Sequence, residues 1–269
     1  MRVDAYTFHE AADLLVRRLG GAGREDKAAE RTSKVLLVLA VLGWIAGGLL
    51  TVVAGMFYLL AVPIVLTVLY VRAKRHDLDD RKLATALKFF QVLRADIPSG
   101  EPVDLRIDFR SHQKGGRMVS KEAGKAGSRI TVHEHGWFAA RARLADGNDV
   151  QVAVTSDIIR KEKPKRKYTK VSERWTDTVE IVAKLREVYG DPSAIAGALR
   201  SSPPPRGLSV RRVAGGDGRL RATFETQEFR RTSGRSSSVA GEENRVDGDV
   251  LLGAMVWFYR GISGARKAA

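Results

Sequence analysis

Val35–Val71 reads VLLVLAVLGWIAGGLLTVVAGMFYLLAVPIVLTVLYV, 37 consecutive residues without a charge. A helix that crosses a bilayer needs about 20 apolar residues. The run is too long for one crossing, and two helices of about 18 residues with a tight turn between them fit it. Gly47, Gly48 and Thr51 lie near its middle and are the candidates for that turn, because glycine tolerates backbone angles closed to other residues. Pro63 supplies no amide donor and is expected to bend the second half.

Arg31 and Lys34 precede the run, and Arg72, Lys74 and Arg75 follow it. Basic flanks favour the cytoplasmic side. Two such flanks require an even number of crossings, so the expected topology is a multi-pass protein of the cell membrane with both termini cytoplasmic. Trp44 and Tyr58 then fall toward the outer interface and Tyr70 toward the inner one, where amphipathic rings are favoured. A cleavable signal peptide would start nearer the terminus and be shorter. A re-entrant or single tilted span, or a helix pair buried in a soluble protein, are the competing readings.

Short amphipathic helices are expected on both sides of the run. Thr7 and Glu10 have capping-box spacing, and Phe8, Ala11, Ala12, Leu14, Leu15 and Leu19 follow at helical intervals until Gly20-Gly21. Beyond the run, residues 77–96 carry the stripe Leu83, Ala86, Leu87, Phe90 and Leu93, which Ile97-Pro98-Ser99-Gly100 ends. That stripe suits packing against another element, or the lipid interface with its lysines toward headgroups.

The pattern then changes to alternation. Val103, Leu105, Ile107 and Phe109 alternate with charged residues as in a half-buried strand. Residues 130–134 form another candidate. Residues 137–145 and 149–156 flank Asp146-Gly147-Asn148, a hairpin signal. Residues 175–189 fit strand and helix alike, with Thr and Val favouring strand. A short helix is expected over 193–200. A second hairpin, from residues 208–213 and 219–229, surrounds Gly215-Gly216-Asp217-Gly218. Residues 111–128 and 230–247 read as loops, and Ser201-Ser202-Pro203-Pro204-Pro205 as a stiff linker. Residues 250–259 are apolar but too few to span a bilayer, which suits a helix buried on the sheet.

The expected fold class is thus a membrane-anchored α+β protein. A two-span transmembrane helical hairpin with flanking amphipathic helices precedes a mainly antiparallel β cytoplasmic domain. The expected divisions are an N-terminal segment 1–34, the membrane hairpin 35–71, a juxtamembrane helix 72–100, a basic β-rich domain 101–200, and a second small α+β unit 201–269.

Charge narrows the function. The 269 residues hold 46 Lys and Arg against 31 Asp and Glu, a net +15, and +14 of it lies from Arg72 onward. Such a balance favours anionic partners. Without cysteine there is no disulfide framework, thiolate metal site or cysteine nucleophile. His133-Glu134-His135 puts two imidazoles on one face of a strand, but a metal site needs a third ligand that the sequence does not name, and ordinary histidines are the simpler reading. Neither a P-loop, a GxSxG elbow nor a GxGxxG fingerprint occurs. No cofactor is expected.

The strongest chemical feature is the run Arg160, Lys161, Lys163, Lys165, Arg166, Lys167, Lys170 and Arg174, with only Glu162 and Glu173 among them. Near an anionic leaflet each such cation contributes about 1 kcal/mol. Only Tyr168 lies within the run to stack on a base, which disfavours nucleic acid. The expected function is a non-catalytic, membrane-anchored binding or scaffold protein offering this surface to anionic lipid or an acidic protein partner. The alternative is a membrane-bound enzyme whose site is assembled from dispersed polar residues. Gly43 and Gly47 make a small-xxx-small pair that permits a homo-oligomer through the membrane hairpin, beside the simpler reading that they only shape its turn.

Overall fold

The computed structural model describes residues 5–54, 60–74, 79–234 and 237–265. Contacts divide it into two compact units, one of Arg17–Asp80, the other of the segment up to Val16 together with Arg81 onward.

In the first unit, helix α1 (Ala12–Ala54) carries through Gly47, Gly48 and Thr51 without turning. Glycine costs a helix about 1 kcal/mol but does not break it when its neighbours are good helix formers. Helix α2 (Ala61–Lys74) follows. The two-span hairpin is therefore corrected. Among the described residues only Ala12–Leu49 is long and apolar enough to cross a bilayer; the second apolar helical stretch is Ala61–Val71. At 1.5 Å per residue that stretch rises about 16 Å, against a hydrocarbon core of about 30 Å. A multi-pass topology is not supported. Pro63 falls in the first turn of α2, where its missing N–H breaks no helical bond. Its ring lies against Gly43, whose Cβ, if present, would be 3.4 Å away. This glycine thus serves a close approach within the chain. The indole N–H of Trp44 donates to the Thr67 hydroxyl at 3.1 Å. Tyr58, Arg75 and residue 77, which entered the sequence reading, lie outside the described residues.

The second unit is built on a ten-stranded antiparallel sheet. Its strands are β1 (Ala5–Ala11), β2 (Pro102–Asp108), β3 (Arg117–Ala123), β4 (Arg129–Arg143), β5 (Asp149–Pro164), β6 (Thr169–Lys184), β7 (Leu208–Gly216), β8 (Arg219–Thr226), β9 (Phe229–Ser233) and β10 (Ser238–Ala240). The main order is β1-β2-β4-β5-β6-β8-β7, with β3 also on β4 and the β9–β10 pair also on β6.

Residues 5–11 correct the expected N-terminal helix. They pair with β2 over seven rungs, from Ala5↔Asp108 to Ala11↔Pro102. Thr7 and Glu10 therefore sit in a strand, and α1 starts only at Ala12. Gly20-Gly21 does not end it. The two strands expected over 130–145 are one. A bulge between Gly136 and Phe138 shifts the alternation by one residue, so that His133, His135, Phe138, Ala140 and Ala142 are all buried. The uncertain stretch is strand to Lys184, then a short 3-10 turn at Glu187–Tyr189. The expected loop 111–128 contains a one-turn helix α4 (His112–Gly115) and β3.

Helices α3 (Asp80–Leu93), α5 (Pro192–Arg200) and α6 (Gly248–Gly264) supply apolar faces to the sheet's core. The stripe on α3 packs rather than meeting lipid. Phe89 and Phe90 lie 5.6 and 6.4 Å from the Phe138 ring, between centroids, and Lys82 and Thr85 are buried beside them. Trp257 of α6 meets Phe224 at 5.3 Å and donates its indole N–H to the Pro203 carbonyl at 2.7 Å, tying the proline stretch to α6. Buried Asp177 holds β6 to the chain before α6. It accepts hydrogen bonds from the Ser156 hydroxyl and the Val246 amide, and the Arg81 guanidinium is 3.7 Å away.

Candidate anion-binding surface

Strands β5 and β6 form the longest hairpin of the sheet, paired from Asp149↔Lys184 to Pro164↔Thr169. Its tip closes through the Lys165 amide, which donates to the Tyr168 carbonyl at 2.8 Å. Strand alternation then sorts the basic run. Lys161, Lys163, Lys170 and Arg174 belong to the outward face, while Lys165, Arg166 and Lys167 occupy the tip, fully exposed. Arg160 belongs to the inward face. Its guanidinium donates to Glu162 at 2.9 Å and to Glu173 at 2.9 Å, so its charge is used inside the protein. Arg174 lies 3.9 Å from Glu228. The fold thus gathers six of the eight cations with no ion pair of their own among the described residues.

Lys163 and Lys170 are direct cross-strand partners. Like charges directly opposite destabilise a strand pair. A bound anion at the end of the hairpin would remove that cost.

The same inward face holds a buried layer of three histidines. His133 and His135 come from β4 and His112 from α4, and each is under 10% exposed. The His112 ring lies 5.5 Å from His133 and 4.8 Å from Trp175, edge-on to both. Glu173 is 3.5 Å from His112, and Asp108 is 3.5 Å from His135. Burial, then repulsion from His133 and Arg160, pushes the His112 imidazole down to about 4. Burial likewise lowers His135. Burial also works against the Asp108 carboxylate, but hydrogen bonds from the Arg110 side chain and amide outweigh it and hold the carboxyl below its ordinary range. The His112 and His135 imidazoles are thus enclosed in neutral form beside Glu173 and Asp108, carboxylates that Arg160 and Arg110 already neutralise. Among the described residues no three His, Asp or Glu come together in a way that could hold a metal ion.

A second basic region escaped the sequence reading. Arg141, Arg143, Lys184, Arg186 and Arg219 line two clefts at the opposite end of the β5–β6 hairpin. They come from β4, β5–β6 and β8 and form no local run. Only the strand register assembles them.

No protein-family model matches the chain, and neither any curated protein nor any solved structure matches it.

Proposed function

We propose that the chain is a membrane-anchored, non-catalytic binding protein whose β domain offers a basic surface to anionic lipid or an acidic protein partner. One observation carries this reading. The apolar side chains of α1 lie bare: Val35, Val38, Leu42, Ile45 and Leu49, spaced along one stripe, are between 57% and 65% exposed. Only 11% of the most apolar window of α1 is buried within the chain. The core helix of a soluble protein buries such a stripe, whereas a bilayer accepts it without cost. On α2, Val62, Ile64, Val65 and Val68 are similarly exposed.

The sheet adds a constraint. β1 precedes α1, β2 follows α2, and the two are hydrogen-bonded neighbours. The apolar segment therefore leaves one domain and returns to it. Sodium carbonate extraction of membranes holding the full chain is the test. The chain stays with the lipid, and tags at the two termini are digested together by protease added to one side. Release by carbonate, or termini on opposite sides, removes the reading.

A further inference from the structure

We propose that the outward face of the sheet holds a binding site for a multiply charged phosphate group, distinct from the β5–β6 tip. The inference stands on the β domain alone and does not depend on membrane anchoring.

The site is a cleft of about 360 Å³ whose lining includes His9, Asp104, Arg141, Arg143, Lys184 and Arg186. A neighbouring cleft of about 180 Å³ shares Arg141, Asp149 and Lys184 and adds Arg219. The larger volume suits a small ligand, as sites of about 300–1,000 Å³ usually do. Register brings the cations together. Arg143, Asp149, Lys184 and Arg219 occupy one rung across β4, β5, β6 and β8. Neighbouring strands are about 4.8 Å apart, so the long side chains from this rung reach a common space.

The acids present are largely committed. Asp149 is held by a two-pronged contact from Arg141, and that guanidinium keeps its carboxyl below the ordinary range. Asp104 bonds His9. Glu101 remains at the rim. Against it stand Arg143, Lys184, Arg186 and Arg219, none of which makes an ion pair or a side-chain hydrogen bond among the described residues. Some other arginines of the sheet are matched, as Arg160 is with Glu173 and Arg221 with Glu180, and what sets these four apart is that they converge on a concavity. Four unmatched cations around a concavity form an incomplete electrostatic arrangement, and a group carrying several negative charges completes it.

Local structure fixes one of these cations in advance. The Arg186 amide donates to Asn148 Oδ1 at 3.0 Å, and Asn148 is fully buried. The Arg186 side chain runs over Gly147, where a Cβ would lie 2.7 Å from its Cδ and where φ is +83°. Gly147 therefore both makes the turn and leaves room for the guanidinium. The lining of both clefts contains no Phe, Tyr or Trp ring, and its one imidazole, His9, is bonded to Asp104. A nucleobase would find nothing to stack on, so the chemistry points to phosphates on a base-free frame. Inositol polyphosphate has that chemistry, either free or as the headgroup of a lipid.

Titration calorimetry with the full chain in detergent micelles tests this, using inositol hexakisphosphate and pyrophosphate as probes. Repeating the titrations with the chain reconstituted in phosphatidylcholine vesicles, with and without phosphatidylinositol bisphosphate, distinguishes the lipid source from the free one, because the lipid competes with the soluble probe only where the site takes the headgroup. The wild type binds the soluble probes. K184Q/R219Q weakens binding at least tenfold, the conservative K184R/R219K keeps it within threefold, and the tip variant K165E/R166E/K167E leaves it within threefold. An unchanged unfolding midpoint shows that the weakened variant is folded. Preference for soluble probe or for vesicle identifies the source and supports the site in either case. Absence of binding by the wild type overturns the proposal. So does an equal loss in the tip variant, since the clefts would then be no more than a share of the net charge.

Discussion

Gly215 carries no side chain because none fits: a Cβ there would lie 2.0 Å from the Pro192 carbonyl oxygen and 2.7 Å from the Ser193 amide nitrogen. These are backbone atoms at the start of α5, and they cannot step aside as a flexible side chain can. Gly215→Ala is expected to destabilise the protein by about 2–3 kcal/mol, the scale of an overpacked core site. Gly216, the next residue, has open space around its Cβ position, so Gly216→Ala should leave the urea midpoint unchanged. His112 makes a prediction of a different kind. Its imidazole is pushed from 6.5 to about 4 by burial and by the neighbouring cations. The unfolded chain takes up a proton below about pH 6.5 that the folded chain refuses until about pH 4. Stability from this residue is complete above pH 6.5 and is lost as pH falls through that window, by at most about 3 kcal/mol. In His112→Gln, unfolding free energies measured between pH 7 and 4 should fall less steeply than in the wild type.

Elements show where local sequence decides and where it does not. The β4–β5 hairpin was legible because Asp146-Gly147-Asn148 dictates a turn, and Gly147 indeed has φ +83°. The α3 and α6 stripes were legible because burial repeats at helical spacing. β1 was not. Thr7 and Glu10 spell a capping box, but seven rungs with β2, about a hundred residues away, outweigh one local cap. β3 was illegible for a different reason: its residues are exposed on nearly every position, so no alternation marks it. The phosphate cleft shares that difficulty, since Arg143, Lys184 and Arg219 meet only through register. The hairpin expected over 35–71 is absent because Gly47 and Gly48, turn formers by propensity, stay helical among apolar neighbours that favour helix. Asp177 supplies the element-scale test. It fixes the approach to α6 through the Val246 amide, while Ser156 and Arg81 crowd its other side. Asp177→Ala leaves the Ser156 hydroxyl and the Val246 amide buried without this acceptor, at about 3 kcal/mol. Hydrogen exchange should speed up over residues 241–251 before it does so in β4 or β5.

On the scale of the whole molecule, one stretch of the chain bares its apolar side chains while the rest buries them. Two arginines in the bare stripe of α1 probe that division. In Leu42→Arg/Ile45→Arg each guanidinium costs about 2.5–3.5 kcal/mol near the middle of a bilayer. The variant is expected to leave the carbonate-resistant fraction; if it stays there at wild-type level, protein rather than lipid covers the stripe. The β1–β2 ladder has a mechanical meaning for the same division. The chain departs for the apolar segment from Ala11, whose rung partner Pro102 sits at the end of β2 nearest that segment. Any load on the segment therefore enters the ladder at the Ala11↔Pro102 rung, one end of the seven. On the returning side the pull meets α3 first, anchored by the interlocked rings of Phe89, Phe90 and Phe138. Of the two tethers, the first is an edge strand held in the sheet by β2 alone, so its release would open no other strand pair.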